Sequence, residues 1–217
     1  MTHFIHENEY RGSKLLTKLA ETRVVLCGAG ALGSLLADNL IRQGFKRLRV
    51  IDRDRVEEHN INTQLYGLTD VGARKAEILR NRLFRSVQVE IDAVAQELTT
   101  KNCSKLLRNA DVIIDAFDNS ASRRLVQTFT REHSVACLHV GLFTDYCEAM
   151  WGERYDVPKD VMGDVCEYPL ARNIVMLAVT IASEEIVRFI STGEQRDWSA
   201  TLGDFAVTAF GDALPAS

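Results

Sequence analysis

At 217 residues, 46% hydrophobic and 26% charged, the chain suits one soluble globular domain with a substantial core. Its formal charge of −4, with Lys and Arg scattered rather than massed, leaves no basic footprint and argues against nucleic acid as a partner. No apolar run approaches the ~18 residues of a membrane span, and the opening MTHFIHENEYRGSK has no signal-peptide core, so the expectation is a cytoplasmic protein with no membrane partner.

Residues 1–21 read as a polar N-terminal arm. Short β-branched runs then predict strands at Arg23–Cys27, Leu48–Asp52, Val87–Ala93, Asp111–Asp115 and Ala136–Val140. Helical patterns lie between them. Leu32, Leu35, Leu36 and Leu40 share one face of a helix that Gly44 can stop, and Ile78, Leu79 and Leu83 do the same in a helix entered through Thr69 and Asp70. Two more helices are expected at Thr99–Arg108 and Ser120–His133. From Gly141 the texture changes to an irregular stretch (Tyr155–Tyr168) and then a long apolar helix, about Leu170–Ile190, with Ile174, Leu177 and Ile181 at helical spacing. The closing TLGDFAVTAF predicts one or two strands. This rhythm indicates an α/β protein with a Rossmann-like, mostly parallel doubly wound sheet and an antiparallel C-terminal extension. One domain is expected over 1–217, comprising the arm, a nucleotide-binding core (22–140), and a loop, long helix and closing strands (141–217).

The five cysteines (Cys27, Cys103, Cys137, Cys147, Cys166) are odd in number and never spaced C-x-x-C, so neither a disulfide framework nor a zinc site is expected. His139, on an apolar strand, reads as a core histidine.

Gly28, Gly30 and Gly33 form G-x-G-x-x-G between a strand and a helix. Without side chains the loop can turn tightly, approach a phosphate and present N–H groups and the positive helix end to it. Asp52, ending the second predicted strand, is placed to accept hydrogen bonds from a ribose. Alone, these features support an adenine nucleotide and equally admit a nicotinamide-dependent oxidoreductase.

The residues beyond Asp52 are more specific. The stretches DRDRVEEHNINTQ, TDVGARKAE and IIDAFDNSASRR, in this order after the glycine loop, resemble the ThiF/MoeB/ubiquitin-activating family, from about Val24 to Ile190. That resemblance implies ATP-dependent adenylation of the C-terminal carboxylate of a small ubiquitin-like or sulfur-carrier protein with a diglycine-type tail, by a homodimer using Mg2+ and no zinc. It implies nucleotide contacts from Gly28, Gly30, Gly33, Asp52, Asp54, Asn60, Gln64 and Asn119, phosphate binding by Lys75, and magnesium on Asp118. It also suggests that Arg11 reaches a partner's site and that Cys166 accepts the activated acyl group or sulfur. The chemistry agrees, because a carboxylate attacking the α-phosphate needs its charge offset, and a lysine and a hard oxygen ligand for Mg2+ supply that. A dehydrogenase needs neither.

The chain departs from the family at Thr63, where arginine is usual, so one cation near the phosphates is missing. A non-catalytic scaffold subunit is therefore a rival reading, and a relative acting on a tRNA-bound carboxylate is a nearer one. No room is expected for the further domains of the large eukaryotic enzymes.

Overall fold

The computed structural model describes residues 4–158 and 169–210. Its frame is an eight-stranded sheet in the order β3-β2-β1-β4-β5-β6-β7-β8. β1 (Arg23–Cys27), β2 (Arg47–Ile51), β3 (Asp92–Val94), β4 (Val112–Asp115) and β5 (Ala136–Phe143) run parallel. β6 (Tyr146–Trp151), β7 (Trp198–Thr201) and β8 (Val207–Ala209) extend the sheet antiparallel. This is the architecture that the sequence indicates.

The central strands are nearly continuous apolar runs because helices cover both of their faces. Successive residues of β1 therefore divide between two cores. Val24 and Leu26 pack with Val112, Ile114 and helices α3 (Ala31–Arg42), α4 (Lys75–Val87) and α7 (Arg172–Thr192). Val25 and Cys27 pack with Ile113, Cys137 and helices α5 (Cys103–Leu107) and α6 (Ser120–His133). Each of these fully buried aliphatic side chains contributes roughly 1.5–3 kcal/mol.

Three expectations shift by a turn or a face. α4 continues through Val87 and ends on Gln88 in a left-handed cap, φ 57°. Of the alternating run Val87–Ala93, only its end joins the sheet, as β3 beside Arg49–Ile51. On α7 the buried stripe is Ile174, Ala178, Ala182 and Ile186, flanked by Val175 and Val179, while Leu177 and Ile181 are only half-buried. Small residues on that stripe let α3 approach, where Asn39 Nδ2 donates to Ser183 Oγ at 2.8 Å. α5 is shorter than expected and covers only Cys103–Leu107.

Two regions carry more structure than the sequence suggested. The arm is a helix pair, α1 (Ile5–Arg11) and α2 (Ser13–Glu21), docked on α7 by Arg11 to Glu184 and by the Lys18 ammonium on the Ile190 carbonyl. β6 had no counterpart among the predicted strands. Its alternation is clear once placed, with Cys147, Ala149 and Trp151 inward. No helix among the described residues is long and apolar enough to cross a membrane.

Candidate functional site

The sheet order reverses direction between β1 and β4, and in open α/β sheets ligands bind outside the carboxyl ends of the strands at such a switch point. The loops after β1, β2 and β4 meet there. Gly28 has φ +97°, and a Cβ on it would lie 2.8 Å from the Ala116 carbonyl oxygen, so the glycine loop rests directly on the loop after β4. A Cβ on Gly33 would sit 1.9 Å from the Gly28 oxygen, which is how close α3 comes to the loop that precedes it. Gly30 has nothing within 4 Å in that direction. This open position, beside the unpaired N–H groups that start α3, is where an anion can approach the backbone.

One residue of the loop, Ala29, is gripped on both sides. The Ala29 N–H donates to Asp52 Oδ2 at 2.7 Å, and its carbonyl accepts from the Tyr66 hydroxyl at 2.8 Å. Asp52 also accepts from the Asp54 N–H at 2.7 Å. Burial raises the Asp52 pKa, against the lowering effects of these N–H groups and of Lys75. Burial raises Tyr66 as well, which keeps its proton on the hydroxyl for this bond. Tyr66 was missed from the sequence; nothing in QLYGL marks it.

Lys75 is the first residue of α4 and is buried, with Nζ 3.8 Å from Asp54 Oδ2 and its N–H on the Asp54 carbonyl at 3.0 Å. The Asp54 carboxylate itself is half-exposed. The turn Asn60–Gln64 closes the same side. Asn60 is buried and caps it by accepting from the Glu57 N–H at 2.9 Å. Thr63 is buried, and the Gln64 Oε1 is buried without a partner among the described residues. Arg172, at the start of α7, donates to the neighbouring Asn62 carbonyl at 3.1 Å.

In the loop after β4, the residue that caps α6 is Asn119, whose Oδ1 accepts from the Ser122 N–H at 2.9 Å. Asp118 is thereby released from capping. It is exposed, and it accepts a long hydrogen bond from Asn119 Nδ2 at 3.4 Å. An exposed hard carboxylate fits a divalent cation.

Behind Asp118 lies a buried polar cluster that sequence reasoning missed. Asp115, fully buried at the end of β4, is 2.8 Å from Nδ1 of His139 on β5, directly opposite in the register. The His139 ring stacks on Tyr155, with centroids 3.8 Å apart, and its Nε2 has no partner among the described residues. Arg123 completes the cluster. Burial opposes its charge, but Asp115 and Tyr155 outweigh that and raise its pKa. The signal in the sequence was a strand-ending aspartate and a histidine on the next strand, legible only once β4 and β5 are known to pair.

Two expected site residues stand apart. Arg11 is held within its own chain by Glu7 at 2.5 Å and Glu184 at 2.7 Å, on the arm rather than at the loops. Cys166 lies outside the described residues.

The sheet order and the glycine loop define the class: a doubly wound α/β fold of Rossmann-like type, with the candidate site at the β1/β4 switch point. A model of the ThiF family matches residues 6–160, well over half of the chain, and the protein belongs to that family. It is 36% identical over 127 residues to the sulfur carrier protein ThiS adenylyltransferase of Bacillus subtilis, covering 56% of this chain and 38% of that one. It is 33% identical over 132 residues to tRNA threonylcarbamoyladenosine dehydratase 2 of Saccharomyces cerevisiae, covering 58% and 30%. The chain thus aligns with less than half the length of either relative. The crystal structure of E. coli MccB with ATP shares the fold, with a TM-score of 0.78 at 14% identity over 96% of this chain and 71% of that one.

Proposed function

We propose that the protein uses ATP to adenylate the C-terminal carboxylate of a small ubiquitin-like or sulfur-carrier protein. The observation that carries this reading is the convergence at one switch point of an open glycine turn, buried Lys75 and an Asp118 freed from helix capping. A hydride-transfer site has no use for the last two. In the reaction, a carboxylate oxygen of the carrier attacks the α-phosphate, and the bond to the bridging oxygen of pyrophosphate breaks. The acyl-adenylate and pyrophosphate are the products.

In this reading the turn at Gly30 and the start of α3 receive the phosphates, Lys75 offsets their charge, and Asp52 with Asn60 and Gln64 frames the nucleoside side. Asp118 would hold Mg2+, which when bound neutralises charge on the departing pyrophosphate, and Asn119 beside it is the proposed nucleotide contact. Cys166 is the proposed acceptor of the acyl group or sulfur. The adenylyltransferase named above supports a carrier-protein substrate.

ATP–pyrophosphate exchange that depends on a diglycine-tailed carrier tests the proposal. Lys75→Ala and Asp118→Ala should each lower exchange by about 10²-fold or more. Absence of exchange with every carrier offered would overturn it and favour the scaffold reading, which buried Thr63 motivates. Replacing Cys166 with alanine should abolish a thiol-sensitive conjugate while exchange persists; an unchanged conjugate removes Cys166 from the mechanism.

A further inference from the structure

Phe117, the residue before Asp118, is held at both ends of its backbone. Its N–H donates to Asp115 Oδ1 at 3.2 Å, and its carbonyl accepts from Arg123 Nε at 2.6 Å. The two grips are joined behind it. Asp115 bonds His139, His139 stacks on Tyr155, and the Tyr155 hydroxyl accepts from Arg123 Nη1 at 2.8 Å, closing a ring of side chains around one residue. The remaining arm of the Arg123 fork donates to the Val140 carbonyl of β5 at 2.9 Å. A planar guanidinium satisfies three acceptors from three elements at once, which a lysine cannot do.

Tyr155 belongs to the segment Gly152–Pro158, which is bonded along its length to α6. Gln127 Nε2 and Arg131 Nη2 donate to the Tyr155 carbonyl at 2.7 and 3.1 Å, and Ser120 Oγ donates to the Pro158 carbonyl at 2.5 Å. The same helix therefore carries the Asp118 loop at its start and this segment on its side. The segment leads in sequence toward Cys166. Because the Asp118 side chain is exposed and, among the described residues, its hydrogen bond is the long one from Asn119 at 3.4 Å, its direction follows the backbone that the ring holds.

We infer that Arg123 and Tyr155 are positioning residues, fixing the Phe117–Asn119 turn and tying it to the Gly152–Pro158 segment so that displacement of the segment is felt at Asp118. The consequence for activity rests on the proposed role of Asp118; the coupling itself does not.

Amide hydrogen exchange on the full-length protein separates the two. Tyr155→Phe keeps the ring stacked on His139 and removes only the acceptor for Arg123. It should speed exchange about tenfold in peptides covering 116–119 and 152–158, and leave β1 and β2 at wild-type protection. Gln127→Ala, which loosens only the segment, should raise exchange at 152–158 and, to a smaller extent, at 116–119. In pyrophosphate exchange, Tyr155→Phe should lower kcat severalfold and raise the Mg2+ concentration needed, with KM for ATP little changed. Arg123→Lys should not restore wild-type behaviour. Wild-type protection at 116–119 in both Tyr155→Phe and Gln127→Ala would overturn the inference, as would a uniform rise that includes β1. A wild-type protein without exchange activity would overturn the proposed function while the amide result still decides the coupling.

Discussion

The loops after β1 and β4 touch each other, yet they are built on different principles. The glycine loop is shaped by missing atoms: Gly28 against Ala116 and Gly33 against Gly28 leave no space for a Cβ, and Asp52 and Tyr66 clamp Ala29 between them. The Asp118 loop is shaped by added ones, a closed ring of charged and aromatic side chains drawn from β4, β5, α6 and the segment after β6. The first should be sensitive to volume and the second to the loss of a donor or acceptor. Only the first kind of constraint leaves a spacing in the sequence.

The largest effect is expected at Gly33. Alanine there would drive a Cβ to 1.9 Å from the Gly28 oxygen, backbone against backbone, with no flexible neighbour to yield. Unfolding in urea should reveal a loss of about 3 kcal/mol or more, or no folded protein. Gly30→Ala is its counterpart three residues away. With open space at that position, its stability should stay within about 1 kcal/mol of wild type, while calorimetry shows weaker ATP binding. Equal stability of the two variants would show that the loop is not packed in this way.

A smaller cost is expected at Asp52. Asparagine keeps the shape but offers one acceptor oxygen where two backbone N–H groups, of Ala29 and Asp54, require two. The penalty should be about 1–3 kcal/mol, read from denaturant midpoints, with ATP affinity falling alongside.

Smallest is the tie between arm and α7. The hydrogen bond from Arg11 lowers the Glu184 pKa below 4.5, so the contribution of this pair is present above pH 4.5 and is lost as the pH falls through the lowered value. Because the Glu184 side chain is 45% exposed, Glu184→Gln should cost about 1 kcal/mol or less at neutral pH. The difference from wild type should vanish in acid. A gap that persists unchanged at low pH would mean that the arm is held by packing instead.

The sequence made the parallel half of the fold readable because each of its signals is local. A buried strand reads as an apolar run, as in RVVLC, and α6 matches its predicted bounds Ser120–His133 because Asn119 caps one end and Ser134 turns left-handed at the other. Lys75 and Asp118 could be singled out only by resemblance, since a helix-starting lysine and a loop aspartate are ordinary in themselves. The ring behind Asp118 was hidden. Asp115 and His139 become neighbours only through strand pairing, and Arg123 sits in a polar helix sequence, SASRRL, that reads as solvated. β6 was overlooked because Tyr146 and Met150, apolar on its outer face, blur the alternation that Glu148 keeps, and Val87–Ala93 misled because α4 takes its first residue.

The core also has a use at the bench. Cys27, Cys103, Cys137 and Cys147 are all buried, and burial pushes each thiol above its ordinary range, Cys147 to about 11. Thiolate is the form that alkylating reagents attack, so these four should stay silent toward iodoacetamide near neutrality while the protein is native. These four positions are in effect pre-blanked for chemical labelling, and an adduct on any of them would report that the interior had opened.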